Sequence, residues 1–139
     1  MISPEYLAGF FDADGYVGVV KTKKWNYFGL RLVLINTDKF FLQSVQAQYG
    51  GSLTRKDYKK SKEHHKIGWH LSFYSNDAKR MSMMLLPFSR IKSSQLMLAL
   101  QFPIGRKVMA GEFGAPKIDK VKQEEIYHQL TSIKKENRC

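Results

Sequence analysis

Nine residues near the start of the chain, Leu7-Ala8-Gly9-Phe10-Phe11-Asp12-Ala13-Asp14-Gly15, constrain the fold more than any other stretch. They lie on a helix whose limits can be read from residue types. Ser3 suits the N-cap, Pro4 the first helical position, and Glu5 the first turn, where the helix dipole favours an acid. Gly15 is a natural left-handed stop. Asp12 and Asp14 therefore occupy the last turn, where the dipole's negative end disfavours a carboxylate by ~0.3–1 kcal/mol each. A helix that accepts this cost has a cation or a hydrogen-bond donor waiting there. Gly9 and Ala13 are four apart, as are Pro4 and Ala8. Such a small-residue stripe lets two helix backbones approach closely, or packs the helix inside its own domain.

The rest of the chain alternates. Tyr16 to Lys24 reads as a strand with Val17 and Val19 on one face and Gly18, Val20 and Thr22 on the other. Phe28 to Ile35 sets Leu30, Leu32 and Leu34 against Arg31, Val33 and Ile35. Thr37 or Asp38 caps a helix to about Gln48, with Phe41, Leu42, Val45 and Tyr49 inward, and Gly50-Gly51 ends it. A third strand runs from Ser52 to about Tyr58, Lys59 to Lys66 forms a polar hairpin tip, and Ile67 to Tyr74 is a fourth strand with Trp69, Leu71 and Phe73 on its core face. Asn76 or Asp77 caps a helix over Ala78 to Leu86. Another spans about Ser89 to Phe102, and residues 104–116 read as a loop. A last helix, about Asp119 to Glu136, carries Val121, Ile126, Leu130 and Ile133 on one side. The expected fold class is α+β, with one domain over residues 1–139.

Charge narrows the partner. Lys and Arg number 23 against 12 Asp and Glu, a formal net charge of +11. On a small domain such an excess implies a polyanion, with nucleic acid the default. A membrane surface would call for a basic amphipathic helix, whereas these basic residues fall on strand-like tracts and a loop. No membrane span or signal pattern is present. Cys139, the one cysteine, suggests a reducing compartment: a bacterial or phage-infected cytoplasm, or an organelle.

Asp-x-Asp-Gly also opens an EF-hand loop, but position 12 counted from Asp12 is Lys23 rather than Glu, and the tract after Gly15 is strand-like. The nine residues instead resemble the signature of the LAGLIDADG homing endonucleases, departing from it only at Phe10 and Phe11. The order helix, two strands, helix, two strands, helices matches that family's αββαββα core over about residues 3–102, with residues 104–139 as a C-terminal loop and helix. The resemblance implies a four-stranded antiparallel saddle on DNA.

Asp12 and Asp14 are two apart, ~200° around a helix, so one metal cannot take both. By resemblance the ligand is Asp14, with the backbone carbonyl of Ala13 nearby, and Asp12 hydrogen-bonds at the helix end. A two-metal phosphodiester site needs more than one carboxylate. A single motif per chain therefore implies a homodimer joined through Ala8, Gly9, Asp12 and Ala13. The stretch Leu86-Pro87-Phe88-Ser89-Arg90-Ile91-Lys92-Ser93-Ser94-Gln95 resembles a second family segment in which a basic residue, here Lys92, reaches the active site; a solvated lysine at a helix start is the other reading. Asn36 resembles the position of a polar residue that holds active-site water, and it equally suits the start of the next helix.

Alternation makes an outward sheet face of Thr22, Lys24, Arg31, Val33, Arg55, Asp57, His70, Ser72 and Tyr74, a mixture of donors and acceptors suited to base edges. Lys59 and Lys60 on the hairpin suit phosphates, or form a solvated tip. His64, His65, His70 and His128 show no recognised metal spacing. The implied activity is Mg2+-dependent cleavage (or use of another divalent cation such as Mn2+) of both strands of a long, partly palindromic duplex, leaving short 3′ overhangs. The alternative is a non-cleaving protein of the same fold, an intron RNA maturase or a DNA-binding regulator.

Overall fold

A computed structural model describes residues 1–22, 27–56, 68–104 and 120–136. Its elements are α1 (Pro4–Asp14), β1 (Gly15–Thr22), β2 (Tyr27–Asn36), α2 (Lys39–Tyr49), β3 (Ser52–Lys56), β4 (Gly68–Tyr74), α3 (Asn76–Leu85), α4 (Ser93–Gln101) and α5 (Lys120–Glu136). The strands form one antiparallel sheet in the order β1-β2-β4-β3. The expected α+β class and strand count hold.

Cross-strand pairs show how alternation divides the sheet. Val17 lies opposite Leu32, Val19 opposite Leu30, and Leu32 and Leu34 opposite Phe73 and Leu71. These residues meet Leu7, Ala8 and Phe11 of α1, Leu42 and Val45 of α2, Met81 and Leu85 of α3, Leu96 of α4, and Ile126 and Leu130 of α5 in one core. All the described helices thus cover one face. The other face, carrying Tyr16, Gly18, Arg31 and Tyr74, points away from them.

Several boundaries differ from expectation for local reasons. Ser3 caps α1, accepting from the Tyr6 N–H at 3.2 Å. Gly15, however, is extended (φ −118°, ψ 170°) and opens β1 rather than making a left-handed stop. Glycine is needed there for space, because a Cβ would overlap the Phe11 ring and crowd its carbonyl. Asp38 caps α2 by accepting from Phe40 and Phe41. The residue before α3 is Ser75 (φ 52°), whose N–H is held by Leu30 O at 3.0 Å, so Asn76 and Asp77 fall inside the helix. On α5 the buried side is Gln123, Ile126 and Leu130, while Val121 is exposed. Gln123 donates to Pro103 O at 2.7 Å, which ties the start of α5 to the chain end of α4.

Candidate nucleic-acid interface and motif end

The last turn of α1 carries the two acids, and their surroundings differ. Asp12 accepts from Ser89 Oγ at 2.5 Å and from the N–H groups of Arg90 (2.8 Å), Ile91 (3.2 Å) and Lys92 (3.2 Å). Those N–H groups lie in the turn that leads into α4, the last of them on its N-cap residue Lys92. A carboxylate from α1 thus organises the turn just before α4, near the positive end of that helix's dipole, which offsets its poor place at the end of α1. The expected helix over 89–102 begins only at Ser93 because residues 89–92 are bent around Asp12. Burial pushes the Asp12 carboxyl up, but the bonds from Ser89, Arg90, Ile91 and Lys92 outweigh it and hold the group below its ordinary 3.8.

Asp14 is exposed, and among the described residues its carboxylate has no hydrogen bond or ion pair. Ala13 beside it is exposed as well. Lys92 stands at the same helix end. Its ammonium donates to the carbonyls of Phe11 (3.2 Å) and Gly15 and lies 5.5 Å from the Phe11 ring centroid. Burial lowers its pKa from 10.5, opposed by the charges of Asp12 and Asp14. The lysine therefore bridges the last turn of α1 to the first residue of β1, adding to the bond that the Phe11 carbonyl already accepts from the Gly15 N–H, and lies close enough to both acids to feel them.

Asn36 ends β2, two residues past the Leu34 that pairs with Gly15, so it sits at the motif end of the sheet. Its Oδ1 accepts from the Asp38 N–H at 2.8 Å, a turn that leads into α2. Among the described residues no cluster of three His, Cys, Asp or Glu could hold a metal. Of the expected interface residues on α1, Gly9 and Ala13 are open, and a Cβ on Gly9 would meet nothing within 4 Å. Ala8 is a correction: it has no exposure and packs in its own core. Asp12 is likewise turned to its own chain by its four bonds.

The outer sheet face is more covered than alternation implies. Arg31 lies between the rings of Tyr16 and Tyr74, 5.9 Å from each centroid, and donates to Ser72 Oγ at 3.2 Å. Val33 and Ser72 have the expected orientation but are buried, so neither offers the open contact expected of it. His70 is also buried on this face, with both ring nitrogens unpartnered; burial, then the charges of Lys56 and Arg31, lower its pKa below 6.5. Thr22 lines an open hollow with Val20, Gly29, Arg31 and Tyr74. Arg55 is a second correction. It pairs with Trp69 and so lies on the helix side of the sheet, because the alternation from buried-side Leu53 carries it there. Thr54 and Lys56 take the outer positions instead. That phase could have been counted from Leu53. Lys24, Asp57, Lys59 and Lys60 lie outside the described residues.

No protein-family model matches the chain, and no curated protein does. Solved structures do. The homing endonuclease I-CvuI, solved in complex with its target in the presence of 2 mM Ca, superposes with a TM-score of 0.57 at 23% identity, over 71% of this chain and 64% of that one. An archaeal intron-encoded homing endonuclease, I-Vdi141I, complexed with DNA, gives 0.56 at 14%, over 71% and 65%. The LAGLIDADG homing endonuclease I-GzeII, in complex with its DNA target, gives 0.56 at 17%, over 73% of this chain and 35% of that one. The chain thus spans less than two thirds of the length of each. It has the LAGLIDADG homing-endonuclease fold.

Proposed function

We propose that this chain is a single-motif LAGLIDADG protein that pairs with a second copy through the open face of α1 and cuts both strands of a duplex laid across the outer sheet faces. The observation that carries this reading is the contrast at the end of α1. The helix ends in an exposed acid that no described residue pairs with, next to a helix face on which Gly9 leaves room for another backbone. The net charge of +11 and a sheet face built around Arg31 suit a duplex. The target would be long and partly palindromic, mirroring the two-fold of the dimer, and the ends short 3′ overhangs.

Mg2+, or another divalent cation such as Mn2+, fits the donors present. The Asp14 carboxylate and the Ala13 carbonyl are hard oxygen ligands at a water-accessible place, and a second copy would bring a second pair. Bound there, the ion would polarise the phosphate and acidify an attacking water. Within the chain, Asp12 fixes the 89–92 turn, and Lys92 holds the helix end and sets a positive charge beside Asp14.

One observation favours a second reading, a non-cleaving regulator or intron RNA maturase. The Lys92 ammonium is committed to two backbone carbonyls rather than turned to substrate. Incubating the protein with a plasmid library in Mg2+ and sequencing the ends decides between them. Linear products with short 3′ overhangs, absent for Asp14→Asn, are expected. Tight duplex or RNA binding without nicking would establish the second reading.

A further inference from the structure

The outer face carries, beside the strand residue Arg31, a cation that no strand supplies. α5 runs along the free edge of β1. Tyr127 packs against Phe28, with ring centroids 5.8 Å apart, and Ile126 and Leu130 enter the core. Seven residues on, about 10 Å along a helix, comes Lys134. Its ammonium lies 5.0 Å from the centroid of the Tyr16 ring. Tyr16 pairs with Val33 and Gly18 with Arg31, both on the face turned away from the helices, so the lysine has crossed the sheet edge.

Gly18 is what admits it. A Cβ there would stand 2.7 Å from Lys134 Nζ. The backbone gives no other reason for glycine, since Gly18 is not among the positive-φ glycines. A glycine inside a strand costs stability and commonly marks a close approach. Here the approach is made by an ammonium group.

The Arg31 guanidinium lies 5.9 Å from the same Tyr16 ring. Two cationic side chains are therefore brought to one aromatic side chain on the outer face. Tyr16 follows Asp14 by two residues, which sets this charge next to the motif end. Lysine is a compact point charge with donors and no acceptor, suited to phosphate more than to a base edge.

We propose that Lys134, seated on Tyr16 and Gly18, is a phosphodiester-binding residue, through which α5 grips the duplex backbone beside the motif end. The site rests on the DNA-binding reading above. Its test is binding of the full chain to a fluorescent random-sequence duplex in EDTA, from about 50 to about 300 mM NaCl, where phosphate contacts set the slope of log K against log salt. Lys134→Gln is expected to flatten that slope by ~0.9 per chain, with about fivefold weaker binding at the low-salt end, and Lys134→Arg to restore it. Gly18→Ala, which keeps the charge but displaces the ammonium, should flatten it too. Lys39→Gln removes the same charge beside Trp69 on the helix side and should leave the slope unchanged. A Lys134→Gln slope equal to that of the wild type, or of Lys39→Gln, overturns the site while the DNA reading stands. Absence of salt-dependent duplex binding by the wild type overturns the DNA reading itself.

Discussion

The two faces of α1 are built to different ends. On the inward face Leu7, Ala8 and Phe11 have no exposure, and Asp12 gathers four donors from Ser89 to Lys92. On the outward face Gly9 meets nothing, and Ala13 and Asp14 are open. Both acids meet the same unfavourable dipole end. The chain answers it for Asp12 with the turn that leads into α4. For Asp14 the described residues supply only the nearby charge of Lys92. A cost answered within the chain is structural. One left open is the mark of a site completed by something else.

That contrast can be broken by substitution. The largest effect is expected at Asp14→Asn, which should lower plasmid cleavage by about 10³ or more while duplex affinity and melting temperature stay near those of the wild type. Full cleavage by this variant in saturating Mg2+ would end the metal-ligand assignment. Gly9→Leu should weaken self-association by about two orders of magnitude in sedimentation, a Leu side chain holding two helix backbones apart, without lowering the melting temperature. A dimer mass like that of the wild type would move the interface elsewhere.

Ala8→Leu, one residue away, should do the reverse. Forcing a larger side chain into a filled core is expected to cost ~1–3 kcal/mol in urea unfolding. If Ala8→Leu were as stable as the wild type and Gly9→Leu were not, the two faces would be assigned backwards. Asp12→Asn should lose ~1–2 kcal/mol of stability, since the charge-assisted bonds to residues 89–92 weaken.

The smallest effect is the pH dependence of that last difference. Asp12's carboxyl is held below its ordinary 3.8, so its contribution is complete above that value and is lost as pH falls through the lowered one. The stability gap between wild type and Asp12→Asn should therefore close below about pH 4, read by thermal melts across that range. A gap independent of pH would mean that the amide replaces the carboxylate's bonds in full.

Much of this was legible from residue types, because the relevant forces act over a few residues. Ser3 and Pro4 mark the start of α1, the period-two runs mark four strands, and the small-residue helix ending in two acids marks the motif. Even the donors awaiting a carboxylate at the end of α1 were implied by the dipole. Their identity was not, since Ser89 to Lys92 lie 77 to 80 residues from Asp12.

What alternation cannot tell is how far a side chain on the chosen face remains open. Val33 and Ser72 point outward as their spacing requires. They are nonetheless buried, in a face where Arg31 is held between two tyrosines and bonded to Ser72. Arg55 moved to the other face because a strand's phase is set by where its ladder begins, here at Ser52 opposite Ser72. Ala8 and Gly9 look alike in a stripe of small residues, and only packing against the core sends one in and leaves the other out.

The sequence by itself determined the elements, their order, the charge and the acid pair, all properties of local backbone preference and composition. Tertiary structure alone decided which acid is satisfied, that Lys92 bridges the end of α1 to the start of β1, and that a lysine from α5 reaches the far side of the sheet. Those outcomes depend on contacts between segments distant in the chain, whose geometry no local pattern encodes.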